Sequence, residues 1–219
     1  TLSHLFYKGR CFITMRKSFF QKTYNINTGL IYFIFMSIFL NLALKQLRQL
    51  FEKLNIPQLK NTFSLIQEKL RIIEYMSKVT SIILITLIVF LITIELFQRF
   101  RSDSVFNYFK SIFQTIRFRH FLKQYEKTET VNDRDNNITK TQLDPVIQNF
   151  NSSISKCTID VRNTTVSVVM QYPKTQQAQK ILREMTGQIK EEISNYNPRY
   201  IFSSPTREGD KFWFKATKV

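Results

Sequence analysis

The stretch SIILITLIVFLITIELFQRFR, residues 81–101, decides the fold. From Val79 to Ile94 no residue is charged, and extension through Phe97 brings the run to spanning length, about 20 mostly apolar residues, by taking in Glu95. At the last turn of such a helix a glutamate can reach toward the headgroups. The alternative, a helix buried on all sides, needs a large protein around it. The expectation is therefore a membrane span with a basic exit at Arg99 and Arg101.

A second run precedes it. Between Lys22 and Lys45 no residue is charged, and the centre reads GLIYFIFMSIFLNLAL, residues 29–44. With the polar TYNINT at the interface this too spans a bilayer. Between the runs, Leu40, Leu44, Leu47, Phe51 and Leu54 alternate spacings of four and three, as do Leu59, Phe63, Ile66, Leu70 and Ile73. Each set is a coiled-coil seam. Pro57 lacks a backbone donor and restricts its predecessor, so the chain is expected to turn at Asn55–Pro57. The two helices would leave the membrane, pair and return; two independent amphipathic helices on the membrane surface are the alternative.

The formal net charge is +16, from 32 Lys+Arg against 16 Asp+Glu, which points to polyanionic partners, lipid headgroups or nucleic acid. Lys8, Arg10, Arg16, Lys17 and Lys22 precede the first span, and Arg99, Arg101, Lys110, Arg117, Arg119 and Lys123 follow the second. The positive-inside tendency then puts both termini in the cytoplasm, in a two-span cell-membrane protein. The loop is basic as well, and Asn-x-Ser/Thr matches at Asn137, Asn151 and Asn163 would suit the opposite side. The first methionine is Met15, and a natural start there would place residues 1–14 upstream of it.

Beyond the second span, SVFNYFKSIFQTIRFRHFLKQ keeps a helical rhythm, with Val105, Phe106, Phe109, Ile112, Phe113 and Ile116 on one side. Aromatics edged by cations suit an interfacial helix. Arg99, Arg101, Lys110, Arg117, Arg119 and Lys123 are the candidate contacts to an anionic membrane surface. The same interleaving can hold single-stranded nucleic acid, the less favoured reading beside a span.

Residues 126–145 contain no aromatic and read as a linker. After them the period shortens to two: Cys157, Ile159 and Val161, then Val166, Val168, Met170 and Tyr172, with Asn163–Thr165 as a turn. A helix follows, striped by Ala178, Ile181, Leu182, Met185, Ile189, Ile193 and Tyr196 and stopped at Pro198. RYIFSS and KFWFKAT then flank PTREGD as a second hairpin. The fold class is thus a membrane α-helical hairpin of two transmembrane helices followed by a small α+β domain, β-β-α-β-β. Its parts are a basic segment 1–22, the hairpin 23–97 with an extramembrane coiled-coil-like loop 45–78, a basic amphipathic helix 98–125, the linker 126–145 and the domain 146–219. One helix covers one face of a four-stranded sheet, which leaves the other open or occupied by a partner. Arg162, Ile201, Trp213 and Lys215 are candidates to line it.

Catalytic signatures are missing. Gly occurs only at positions 9, 29, 187 and 209, so no phosphate loop or dinucleotide fingerprint can form. His4 and His120 lie outside the terminal domain, and neither is near Cys11 or Cys157, so neither a histidine-supported nucleophile nor a metal site is expected. No cofactor is implied.

In layout, the two spans, the basic juxtamembrane stretch and a small domain ending PRYIFSSPTREGDKFWFKATKV resemble the membrane-proximal part of FtsK/TcpA-type DNA translocases and conjugative coupling proteins. In that family a small domain precedes a hexameric ATPase. These 219 residues carry no phosphate loop, so the resemblance implies a relative that docks or regulates a motor without hydrolysing ATP. The expected function is a membrane-anchored, non-catalytic interaction and assembly protein of a mobile element, related to DNA transfer and homo-oligomeric, with a protein partner for the terminal domain. The alternatives are a membrane-disrupting effector with a C-terminal sensor, and a membrane-tethered nucleic-acid binder.

Overall fold

The computed structural model describes residues 15–53, 60–125 and 144–219. The expected turn at Asn55–Pro57, residues 1–14 and nearly all of the linker lie outside the described residues. Two helices dominate: α1, Phe19–Lys53, and α2, Lys60–Ser102. Their 35 and 43 residues correspond to roughly 52 and 64 Å at 1.5 Å per residue, well beyond a bilayer core of about 30 Å. A capping box starts α1: the Gln21 N–H donates to Ser18 Oγ and the Ser18 N–H donates back to Gln21 Oε1, both at 3.2 Å.

The helices pair antiparallel along a polar seam. Ser37 Oγ lies 2.7 Å from Ser81 Oγ and donates to the Ser77 carbonyl at 3.2 Å, while Asn41 Nδ2 donates to Ser81 Oγ at 3.4 Å. Further along, Glu74 takes Lys78 Nζ at 2.6 Å and Arg48 Nε at 3.4 Å. Many of the large apolar side chains face away from this seam: Phe35 is 68% exposed, Phe39 70% and Ile82 63%, while Ile88 is buried. The apolar windows of α1 and α2 are 0% and 17% buried, the reverse of a core helix. Both helices are long and apolar enough to cross a membrane, and their apolar side chains point outward.

Of the seam read from the sequence, Leu54, Leu59 and the Phe63 side chain lie outside the described residues. Leu44, Phe51 and Leu70 are part-buried, but Leu40, Leu47, Ile66 and Ile73 are exposed. Heptad reading places apolar residues at the interface because it assumes water outside. At the Ser37–Ser81 crossing small and polar residues take that place, through close approach and hydrogen bonds.

At Asp103–Ser104 the chain breaks direction into α3, Val105–Leu122. Then come α4, Pro145–Ile154, the strands β1, Thr158–Val161, and β2, Thr165–Gln171, helix α5, Gln176–Tyr196, and the strands β3, Tyr200–Phe202, β4, Thr206–Glu208, and β5, Lys211–Lys218. The sheet is antiparallel, ordered β1-β2-β5-β3, with β4 on β5 beyond β3. The expected β-β-α-β-β order holds, and two elements are added to it. Asp144 caps α4 by accepting from the Val146 N–H at 2.8 Å, with Pro145 in the first turn. The strand β4 lies inside the segment read as a turn.

Helices α4 and α5 cover one face. Phe150, Ile154, Leu182, Ile189 and Ile193 pack there with Val166, Val168, Met170 and Phe214, all 4% exposed or less. The β4–β5 hairpin closes through Gly209–Asp210, with Gly209 at φ +60° and open space where a Cβ would stand. Gly209→Ala is therefore expected to cost roughly 1–2 kcal/mol, purely for the left-handed backbone. Thermal unfolding measures it, and an unchanged midpoint would contradict it.

Helix α3 lies along the outer edge of β1 and stands in for a missing strand. Asp103 Oδ1 accepts from the Asn163 N–H at 2.8 Å, Ser111 Oγ from the Val161 N–H at 2.9 Å and Thr115 Oγ1 from the Ile159 N–H at 3.0 Å. Arg119 Nε donates to the Cys157 carbonyl at 2.7 Å. The spacing explains the match: four helical residues rise about 6.0 Å and two strand residues about 6.6 Å. A polar stripe four residues apart can thus satisfy alternate edge groups of an antiparallel strand. This leaves the aromatic side of α3 outward, with Phe106 84% exposed, Phe113 64% and Ile116 57%.

Candidate functional site

The hairpin and the domain meet at Arg99, on the last turn of α2. Its side chain is fully buried, with Glu95 one turn before it and Asp103 one turn after. Nε donates to Glu95 Oε1 at 2.6 Å, one terminal nitrogen lies 3.5 Å from Asp103 Oδ2 and donates to the Val161 carbonyl at 3.1 Å, and the other donates to Asp160 Oδ1 at 2.5 Å. The Phe20 and Tyr108 rings cover its carbon at 5.3 and 5.7 Å. One guanidinium therefore ties α1, α2, α3 and β1 together. A rigid five-donor fork can do this where a lysine could not.

Arg162 completes the cluster from β1's end, with Nε 3.0 Å from Asp160 Oδ2 and a terminal nitrogen 3.8 Å from Glu95 Oε1. Burial works against its charge, yet Asp160, through charge and hydrogen bond, and then Glu95 and Asp103 raise its pKa above the ordinary arginine value. Three carboxylates thus face two guanidiniums in a nearly dry site, the condition in which removing one partner is most costly.

A second arginine repeats the device. Besides the Cys157 carbonyl, Arg119 donates to Asn25 Oδ1 at 2.6 Å and sits 4.9 Å over the Tyr24 ring, so the foot of α1 is held as well. Arg99 and Arg119 are therefore corrections to the sequence reading: both turn into the protein rather than toward a lipid surface. Arg101, Lys110, Arg117 and Lys123 are exposed as expected, with Arg117 4.6 Å over Tyr196. The inward role had a signal, since Glu95, Arg99 and Asp103 are four residues apart on one helical face.

The second face of the sheet is not left open. Residues Met15–Gln21 run across it: the Met15 N–H donates to Glu208 Oε2 at 3.1 Å, and Gln21 Nε2 donates to the Ser167 carbonyl and hydroxyl at 3.1 and 3.0 Å. The register sets Asp160, Ser167 and Lys215 in one cross-strand row, and Thr158, Val169 and Trp213 in the next. Of the four residues expected on this face, Trp213 is buried, Arg162 is part-buried and paired, Lys215 is exposed, and Ile201 is exposed beside Thr217. Arg162, Trp213 and Lys215 meet in one cleft of about 330 Å³, with Arg16 and Ser18 on its rim side. Ile201 is not among its lining residues.

Cys157 immediately precedes β1 and is completely buried; burial pushes its thiol up to about 12. Its thiolate fraction at pH 8 is negligible, and the thiolate is the nucleophile. Peptide mapping after iodoacetamide treatment should therefore find Cys157 unmodified in the folded protein and modified after denaturation. Rapid alkylation of the native chain would contradict the burial.

No protein-family model, curated protein or solved structure matches this chain. What the geometry defines is a class: an apolar two-helix hairpin with a polar seam, seated on a small α+β domain through buried arginines.

Proposed function

We propose that the protein is a membrane-anchored, non-catalytic interaction and assembly protein, whose hairpin spans the bilayer twice and holds the domain in a fixed attitude beneath it. The observation that carries this reading is the hairpin's inverted packing, hydroxyls and amides inside and phenyl and alkyl groups outside. The exposed Phe97, Phe100, Phe106, Phe109 and Phe113 extend that apolar surface from α2 onto α3, where Lys110 and Arg117 edge it, as suits an interfacial helix at an anionic surface. Docking of the amino-terminal segment onto the carboxy-terminal domain supports an even number of crossings, with both on one side. The basic flanks favour the cytoplasm for that side. Oligomers and a protein partner, such as the motor implied by the layout resemblance, are the assembly partners proposed.

Alkaline carbonate washing should leave the chain in the membrane pellet, and a short amine crosslinker should produce a ladder of multiples. Release as a soluble monomer would sink the reading. The polar seam also supports a second reading, a membrane-disrupting effector, because hydroxyls and the Arg48–Glu74–Lys78 cluster could line a conductive path between assembled hairpins. A potential-sensitive dye in expressing cells separates the two: depolarisation favours the effector, and an unchanged potential the anchor.

A further inference from the structure

We infer that the cleft across β1, β2 and β5 is a binding site for one phosphate-bearing anionic group, borne by a phospholipid headgroup or free in solution. Three cations, Arg16, Arg162 and Lys215, line it together with Ser167 and Thr217. The one carboxylate there, Asp160, is engaged by Arg99 and Arg162, so its charge is already spent. Arg16 and Lys215 have no ion-pair partner among the described residues. Arg162 is itself held by Asp160 and Glu95, so Arg16 and Lys215 are the cations left for a ligand, and with the hydroxyls beside them they suit a compact oxyanion.

Trp213 is 2% exposed and lines the cleft, yet its indole N–H has no hydrogen-bond partner among the described residues. Buried indole N–H groups ordinarily find one, because an unpaired donor removed from water is destabilising. That N–H is itself out of reach of a water-sized oxygen, so Trp213 reports on the cleft through its ring and is not a donor to the ligand. The volume of about 330 Å³ holds one small headgroup or a free phosphate and excludes a nucleic-acid duplex. Arg16 stands three residues before α1, the helix that leads up the hairpin, so the cleft opens at its foot. The site exists whether or not the hairpin is in lipid, so the inference does not rest on the membrane reading.

The chain has a single tryptophan, and its emission reports on the cleft directly. The full chain in neutral detergent would be titrated with inorganic phosphate at constant ionic strength set by chloride, and separately with micelles doped with phosphatidic acid or, as zwitterionic control, phosphatidylcholine. Equilibrium dialysis with radiolabelled phosphate guards against a spectroscopically silent site. A saturable response to phosphate identifies a free anion, and a response to phosphatidic acid alone identifies a headgroup. In either case the exposed pair of changes Arg16→Gln and Lys215→Gln should weaken binding at least tenfold with an unchanged far-UV spectrum and melting point. The inference is overturned if neither probe saturates by either method, or if the double variant binds as tightly as the parent.

Discussion

Arg99→Ala is expected to destabilise the protein by about 3–5 kcal/mol, the largest effect of any single substitution considered. The side chains of Arg99, Glu95, Asp103 and Asp160 are 2% exposed or less, so water screens little of the loss. Removing the guanidinium leaves three carboxylates facing Arg162 alone and opens space under the Phe20 and Tyr108 rings. Denaturant unfolding in detergent, followed by Trp213 emission, measures it. Arg99→Lys should recover only part, because an ammonium cannot reproduce four directed contacts. Arg99→Met combined with Glu95→Gln and Asp160→Asn should recover more than half, since the deficit comes from unpaired buried charge rather than lost volume. If Arg99→Ala unfolds at the parental midpoint, the arginine does not join hairpin to domain.

The second large effect concerns the edge of the sheet. Ser111→Ala and Thr115→Val each remove a hydroxyl that accepts a β1 amide, at 2.9 and 3.0 Å. Both hydroxyls are inaccessible, so each change leaves a buried N–H unpaired at about 1–3 kcal/mol. Thr115→Val keeps the side-chain shape, which makes it the cleaner of the two. Hydrogen exchange at the Ile159 and Val161 amides should accelerate in the matching variant, and the double variant should associate through the bared edge. Undiminished protection at both amides would mean that α3 merely lies beside β1.

Much of the architecture is legible in the chain because it is written in local periodicity. The apolar runs on either side of residue 55 predict long helices, and the alternation at Cys157–Val161 and Val166–Tyr172 predicts the strands that form. The stripe from Ala178 to Ile193 becomes the buried side of α5. Helix α4 was not among the expected elements, although Asp144–Pro145 is a start signal and Val146, Phe150 and Ile154 recur every four residues. Its weight was masked by the polar linker before it. The cleft was half legible: alternation puts Trp213 and Lys215 on one face of β5, but nothing local predicts that Arg16 closes over them.

By itself, then, the sequence determined the long helices, α5 and the strands β1, β2, β3 and β5, but not α4 or β4, and it determined that two of the helices are long and apolar enough for a bilayer and which side of α3 is aromatic. These follow from spacing, a property of neighbours along the chain. Only the tertiary structure decided that Arg99 turns inward, because its partner Asp160 lies 61 positions away on a strand. It also decided that Ser111, Thr115 and Arg119 stand in for a missing strand, and that Ser37, Asn41, Ser77 and Ser81 meet between α1 and α2. A polar side chain goes wherever a buried donor or acceptor waits for it, and that place is set by the packing of distant elements rather than by periodicity.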